Sequence, residues 1–199
     1  WAAASDQVVI QRLNRHQSQI DLLLGDADTG YTTLLFSERD EAWLDANDDL
    51  RWISGGEQFT WTSDRDGFSH VYLYDRSGRM MRQLTRGAWD DIEPTYLPDT
   101  PNSPGGIVFC SSRCDRWVNC YRTPVAVLYR CDADGGSVRP ISTNVEHDNT
   151  PWVLPDGRIL YMRWEYVDRS QADYHHLWTI NPDGSGQMIY YGNQFVGTV

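Results

Sequence analysis

Leu50-Arg51-Trp52-Ile53, the turn Ser54-Gly55-Gly56-Glu57 and Gln58-Phe59-Thr60-Trp61-Thr62-Ser63 open the stretch that decides the fold. After the loop Asp64-Arg65-Asp66-Gly67 it continues as His70-Val71-Tyr72-Leu73-Tyr74, the turn Asp75-Arg76-Ser77-Gly78 and Met80-Met81-Arg82-Gln83-Leu84-Thr85. Aromatic and β-branched residues fill the runs, and Gly and Asp supply the backbone angles that tight hairpins need. Four short strands within about forty residues is the size of one propeller blade.

The same plan recurs. Asp26-Ala27-Asp28-Thr29-Gly30, Asp75-Arg76-Ser77-Gly78, Asp132-Ala133-Asp134-Gly135-Gly136 and Asn181-Pro182-Asp183-Gly184-Ser185-Gly186 are turns whose first residues lie 49, 57 and 49 positions apart. A period of this length between strand-like flanks marks units that bury their faces only against neighbours. The first unit reads as three strands, and the third carries its extra length in the loop from Ser112 to Pro124. No segment sustains a helical period. The sequence therefore predicts an all-β β-propeller of about four antiparallel four-stranded blades. Asn193 to Val199 reads as the opening of a fifth unit, so an open arc, or half of a larger eight-bladed ring, is expected rather than a closed wheel.

Five Phe, eleven Tyr and nine Trp sit mostly in the strand runs, which assigns them to packing between blades. The formal charge is −11, from 28 acidic against 17 basic residues, which disfavours nucleic acid and anionic membrane surfaces as partners. Apolar runs are far too short to insert in a bilayer. Trp1-Ala2-Ala3-Ala4-Ser5 lacks the basic start and apolar stretch of a signal peptide, and a chain opening without Met reads as processed, excised or truncated.

All four cysteines, Cys110, Cys114, Cys120 and Cys131, fall in the third unit. Cys114 and Cys120 flank a polar loop, while Cys110 and Cys131 lie on segments read as neighbouring strands. Two disulfides are expected on the logic of an exported protein, with free thiols or a zinc site as the alternatives.

Residues 7–91 resemble the propeller domain of the dipeptidyl peptidase IV family of serine peptidases. The resemblance is carried by Gln11-Arg12-Leu13-Asn14-Arg15-His16-Gln17, Ala42-Trp43-Leu44-Asp45-Ala46-Asn47-Asp48-Asp49-Leu50, Trp61-Thr62-Ser63-Asp64-Arg65-Asp66-Gly67-Phe68 and Arg82-Gln83-Leu84-Thr85-Arg86-Gly87-Ala88-Trp89-Asp90. Residues 92–199 resemble Tol-like propellers of periplasmic bacterial proteins, including those similar to the hydrazine synthase α subunit. They do so through Leu128-Tyr129-Arg130-Cys131-Asp132-Ala133-Asp134-Gly135, Asn144-Val145-Glu146-His147-Asp148-Asn149-Thr150-Pro151 and Asp156 to Arg169. The expectation is one continuous propeller module, with dipeptidyl-peptidase-like blades in 1–91 and Tol-like blades in 92–199, and a hybrid junction between blades. A periplasmic or secreted parent follows from the resemblance.

The resemblance implies that the catalytic Ser, Asp and His of such peptidases belong to a separate hydrolase domain. No Gly-x-Ser-x-Gly elbow occurs in the sequence, nor the adjacent Glu-Glu pair with which the family grips a substrate amine, nor a Cys-x-x-Cys-His for haem. No catalytic residue and no cofactor is assigned. Glu146-His147-Asp148 and His175-His176 are loop clusters that hold a divalent metal only if their loops converge; solvated residues and hydrogen bonds bracing the junction are the competing reading. Arg163, Glu165, Asp168 and Arg169 form a dense charged cluster, read as ion pairs before a ligand site. The function expected is a non-catalytic scaffold or interaction module that binds a protein or peptide and completes its ring with a second copy or with missing blades. The alternative is the propeller fragment of an S9-type prolyl dipeptidyl peptidase.

Overall fold

A computed structural model describes residues 2–101, 103–166 and 174–192. Four antiparallel sheets follow one another along the chain. The first is β1 (Gln7–Leu13), β2 (Gln19–Asp26) and β3 (Thr32–Arg39); the second is β4 (Arg51–Ile53), β5 (Gln58–Ser63), β6 (His70–Asp75) and β7 (Met80–Gln83). The third is β8 (Asp91–Leu97), β9 (Gly106–Ser111), β10 (Val127–Cys131) and β11 (Arg139–Pro140); the fourth is β12 (Asp148–Val153), β13 (Ile159–Trp164), β14 (His175–Ile180) and β15 (Met188–Tyr191). Each is a meander in chain order, so every hydrogen-bonded neighbour is also a sequence neighbour. The described residues contain no α-helix, and two single 3-10 turns, Ser54–Gly56 and Ser112–Cys114, follow β4 and β9.

The first strands β4, β8 and β12 lie beside one another, which places them on the inner side of the arc. Three buried clusters mark the seams. Ile20, Leu22, Phe59, Trp61, Tyr72 and Tyr74 join the first blade to the second, with Phe36 stacked on Tyr74 at 4.5 Å and edge-on to Trp61 at 5.5 Å. Leu84, Ile107, Phe109, Val127 and Tyr129 lie at the second seam; Leu97, Val108, Leu128, Ile141, Ile159 and Ile180 lie at the third. The sheets do not close into a ring. As the sequence suggested, aromatic side chains fill the space between twisted sheets, and each such ring pair adds about 0.5–1.5 kcal/mol beyond its burial.

The turn that repeats in the sequence is a packing device. Gly78, Gly135 and Gly184 stand at φ +86°, +85° and +89°, where a side chain is strained. Each also abuts the last strand or strand end of the preceding blade: a Cβ would meet the carbonyl oxygen of Leu35 at 2.3 Å, of Leu84 at 2.5 Å and of Ile141 at 3.0 Å. Beside the last of these, the buried Arg130 guanidinium spans the third seam, donating to the Pro182 carbonyl at 3.1 Å and to that of Pro104 at 2.8 Å.

Two glycines separate these effects. Gly157 has φ +87° with open space around it, so Gly157→Ala is expected to cost about 1–2 kcal/mol from backbone strain alone. Gly135→Ala adds a collision with the Leu84 backbone and is expected to cost at least ~2 kcal/mol more. Urea unfolding of both variants checks this; equal losses would mean that the turn does not bear on the seam.

Candidate functional site

Polar chemistry concentrates at the inner ends of the seams. Asp91 and Asp148, the first residues of β8 and β12, are fully buried. Asp91 accepts from Arg113 at 2.6 Å and lies 3.2 Å from His70 Nδ1; Asp148 accepts from Ser142 Oγ at 2.7 Å and Asn144 Nδ2 at 3.1 Å, with Arg163 Nε at 3.8 Å. Six residues before each carboxylate sits a hydroxyl, Thr85 or Ser142, that also takes the backbone N–H of Val71 or Leu128 at 3.0 Å. At the first seam Glu38 plays the corresponding part, accepting from Trp61 Nε1 and Arg65 at 2.8 and 2.9 Å and from Ser63 Oγ. Removing one partner from such a buried pair costs about 3–5 kcal/mol, because the remaining charge has no water to return to.

The inner strands break register just beyond these carboxylates. β8 shifts between Ile92 and Thr95 and β12 between Asn149 and Trp152, with Glu93 and Thr150 at φ +53° and +54°, each followed by proline. The bulges interlock. Asp49 Oδ2 accepts the Glu93 N–H at 3.0 Å, and Glu93 Oε2 accepts the Thr150 N–H at 2.6 Å, so one chain of carboxylates runs across the second, third and fourth blades. Burial pushes the Asp49 carboxyl up, opposed by the Glu93 N–H.

Two cavities flank this chain and share Ile92 and Glu93. One, of about 290 Å³, is lined by Trp43, Asp49, Trp61, Asp64 and Arg65 among others. The other, of about 250 Å³, is lined by Asp90, Cys110, Ser112, Ala126, His147 and Asn149 among others. Arg65, which lines the first, is held by Glu38 and by Tyr74 Oη at 2.8 Å and lies 4.4 Å over the Tyr72 ring.

The fold brings the residues singled out in the sequence together in pairs rather than in one cluster. His147 stacks on Trp164 at 5.9 Å and His175 meets the same indole edge-on at 5.5 Å, while His176 lies 3.0 Å from Glu165 Oε2. His175 and His176 are successive strand residues and point to opposite faces, which is why the three imidazoles do not converge. Among the described residues no group of three or more His, Cys, Asp or Glu is arranged to hold a metal. Arg163 and Glu165 do not pair with each other: Arg163 turns to Asp148, the Thr143 carbonyl and the Trp178 ring, and Glu165 to His176. Asp168 and Arg169 lie outside the described residues.

Two disulfides were expected; in the structure all four cysteines stand as free thiols. Cys110 pairs with Leu128 and Cys131 with Ile107, an odd offset that sends the two sulfurs to opposite faces of one sheet and into different seams. Cys114 donates to the Val125 carbonyl at 3.1 Å from the 3-10 turn, while Cys120 is exposed in the loop beyond. Burial pushes the Cys131 thiol up to about 12 and raises that of Cys110, beside Glu93, as well.

Of the seam carboxylates only Asp148 was singled out in the sequence, with hydrogen bonds bracing the junction as one reading; Glu38 and Asp91 were not, although the repeats Leu84-Thr85 to Asp91 and Ile141-Ser142 to Asp148 carry the signal at identical spacing.

An open arc of meandering sheets with inner-strand bulges defines a β-propeller module. Residues 1–103 match the family described as dipeptidyl peptidase IV (DPP IV) N-terminal region, and the chain belongs to that family. Solved structures agree in fold. Dipeptidyl peptidase 4 of Porphyromonas gingivalis aligns with TM-score 0.70 and 21% identity over 95% of this chain and 25% of its own. Hydrazine synthase of Kuenenia stuttgartiensis aligns with TM-score 0.71 and 17% identity over 94% of this chain and 32% of its own. TolB of Acinetobacter baumannii aligns with TM-score 0.63 and 16% identity over 95% and 41%. The chain thus spans a quarter to two fifths of these structures. No helix among the described residues is long and apolar enough to cross a membrane.

The seam chemistry gives a pH signature. Burial raises the Asp148 carboxyl to about 6, against the pull of Arg163 and Ser142. The folded state then holds a proton that the unfolded chain releases near pH 4, so this group's contribution to stability falls as pH rises from about 4 to 6. Asp148→Asn is expected to remove roughly 3 kcal/mol of that decline, read from urea unfolding at a series of pH values. Parallel profiles for the two proteins would refute the assignment.

Proposed function

We propose that this chain is a non-catalytic propeller module, the blade portion of a serine peptidase of the dipeptidyl peptidase IV type that shapes access to a hydrolase domain elsewhere. The observation that carries this reading is the family match over residues 1–103, joined to a fold match that places 95% of the chain on a quarter of a dipeptidyl peptidase. The sequence has no Gly-x-Ser-x-Gly elbow, in keeping with a nucleophile carried by another segment. The Tol-like resemblance of residues 92–199 supports a periplasmic or secreted parent. The purified chain is expected to release no chromophore from dipeptidyl p-nitroanilides. Turnover accompanied by labelling of this chain with a fluorophosphonate serine probe would overturn the proposal.

The last blade supports a second reading, a scaffold that pairs with another copy of itself. Trp152, Leu160, Thr179 and Met188 fall in one cross-strand row, and Asn149, Met162, Leu177 and Tyr191 in the next, on the face turned away from the third blade. Trp152 is 58% and Met188 55% exposed. Large apolar side chains exposed on a sheet face favour cover, and two four-blade arcs closing on each other give eight blades. Light scattering is expected to give twice 22.9 kDa. A monomeric mass would remove this reading and leave the peptidase-module reading intact.

A further inference from the structure

Each seam inside the arc is built from the same two halves. The trailing face and last-strand end of one blade meet the leading face and glycine turn of the next, as at Gly78, Gly135 and Gly184. The first blade has a leading face and a glycine turn too, and both stand open.

The trailing side of the first blade is already used, because Ile20, Leu22 and Phe36 pack in the first seam. The pleat turns alternate residues the other way. There Ile10, Leu23 and Leu34 lie opposite one another across β1, β2 and β3 as an apolar row. Leu34 is 52% exposed, and Ile10 is exposed as well. Two residues along, Arg12 and Asp21 close on each other at 2.7 Å, so their charges need no partner from outside.

Gly30 ends the β2–β3 turn at φ +71°, its N–H on the Asp26 carbonyl at 2.9 Å. It is the counterpart of Gly78, Gly135 and Gly184, in a turn one residue longer. Those three each have a neighbour's strand end where a Cβ would stand; at Gly30 nothing lies within 4 Å. Tyr31, beside it, is 75% exposed. The matching half belongs to the fourth blade, whose trailing face carries the exposed Trp152 and Met188 and whose β15 ends in the exposed Tyr190 and Tyr191.

The three seams of the arc show what covers a face of this kind: the trailing face of another blade. We propose that the first blade's leading face and Gly30 turn form an open half-seam that takes the fourth blade of a second copy, its β15 end against Gly30. The contact is heterologous, first blade to last, and made twice it closes two arcs into one ring of eight. This deepens the self-pairing reading and rests on it; the peptidase-module reading does not enter.

The test uses the whole chain, with mass read by light scattering and dissociation constants by sedimentation. Gly30→Asn keeps the left-handed backbone, which Asn tolerates, and adds a side chain where the second copy's strand end must lie. It is expected to weaken dimerisation about tenfold or more, whereas Gly67→Asn, at φ +94° in open space on the second blade, leaves it unchanged. Leu34→Glu on the leading face and Met188→Glu on the trailing face are each expected to give monomers. Both positions are exposed, and thermal melts check that the variants fold. Mixed one to one, the two variants are expected to regain a dimer, weaker than the unaltered one, because one of its two contacts joins unaltered faces. A dimer joined fourth blade to fourth blade behaves differently: Gly30→Asn and Leu34→Glu then pair as the unaltered chain does, and Met188→Glu is not rescued by mixing. That result overturns the proposal and leaves self-pairing standing, whereas a monomeric unaltered chain removes both.

Discussion

The contact on which the arc depends is a backbone against a backbone. At each seam the glycine of a third-to-fourth-strand turn lies against a carbonyl at the end of the blade before it, closer than a side chain allows at Gly78 and Gly135 and tightly at Gly184. Sheets packed face to face stand about 10 Å apart, and only the absence of a Cβ lets the turn tuck beneath the neighbouring strand end. Three turns, at Gly78, Gly135 and Gly184, repeat the contact, so a local rule in the sequence becomes a rule of assembly. The period along the chain is the spacing of seams.

Apolar clusters then fill the seams, and buried carboxylates close their inner ends. Asp91 and Asp148 each tie a first strand to the hydroxyl that precedes it by six residues and to an arginine of the same blade. Such pairs contribute little net free energy, since desolvation offsets attraction. Their effect is orientation: a carboxylate that accepts from several directions admits only one position of its strand. The interlocked bulges at Glu93 and Thr150 carry the same control to the inner side, where the amide of one blade is held by the side chain of the last.

The fold was legible because strand runs, Gly/Asp turns and their spacing are local signals. The three-stranded first unit was legible for the same reason. The chemistry of the third and fourth blades was less so. Four cysteines in one unit suggested two bridges, but pairing depends on strand register, and a three-residue offset put Cys110 and Cys131 on opposite faces. His175 and His176 suggested a ligand pair, but adjacent positions on a strand diverge. The charged run at Arg163 divided between partners far apart in sequence, Asp148 and His176 among them. The family match, for its part, continues through residue 103, beyond the connection at residues 89–93 where the sequence changes resemblance.

The division of labour follows from where charge is satisfied. Glu38, Asp91 and Asp148 each have an arginine within salt-bridge distance, and Arg130 has three carbonyl contacts. These groups hold blades together and have little capacity left for a visitor. The inner ends of the seams differ, because a bulge interrupts the ladder and turns side chains away from their regular alternation. Asn149 and Glu93 border those interruptions, and both flanking cavities meet at Glu93. The groups that join the blades are thus distinct from those that line the two cavities beside Glu93, Glu38 and Arg65 excepted. Structures of a dipeptidyl peptidase, TolB and hydrazine synthase share the fold, so the blades by themselves assign no chemistry.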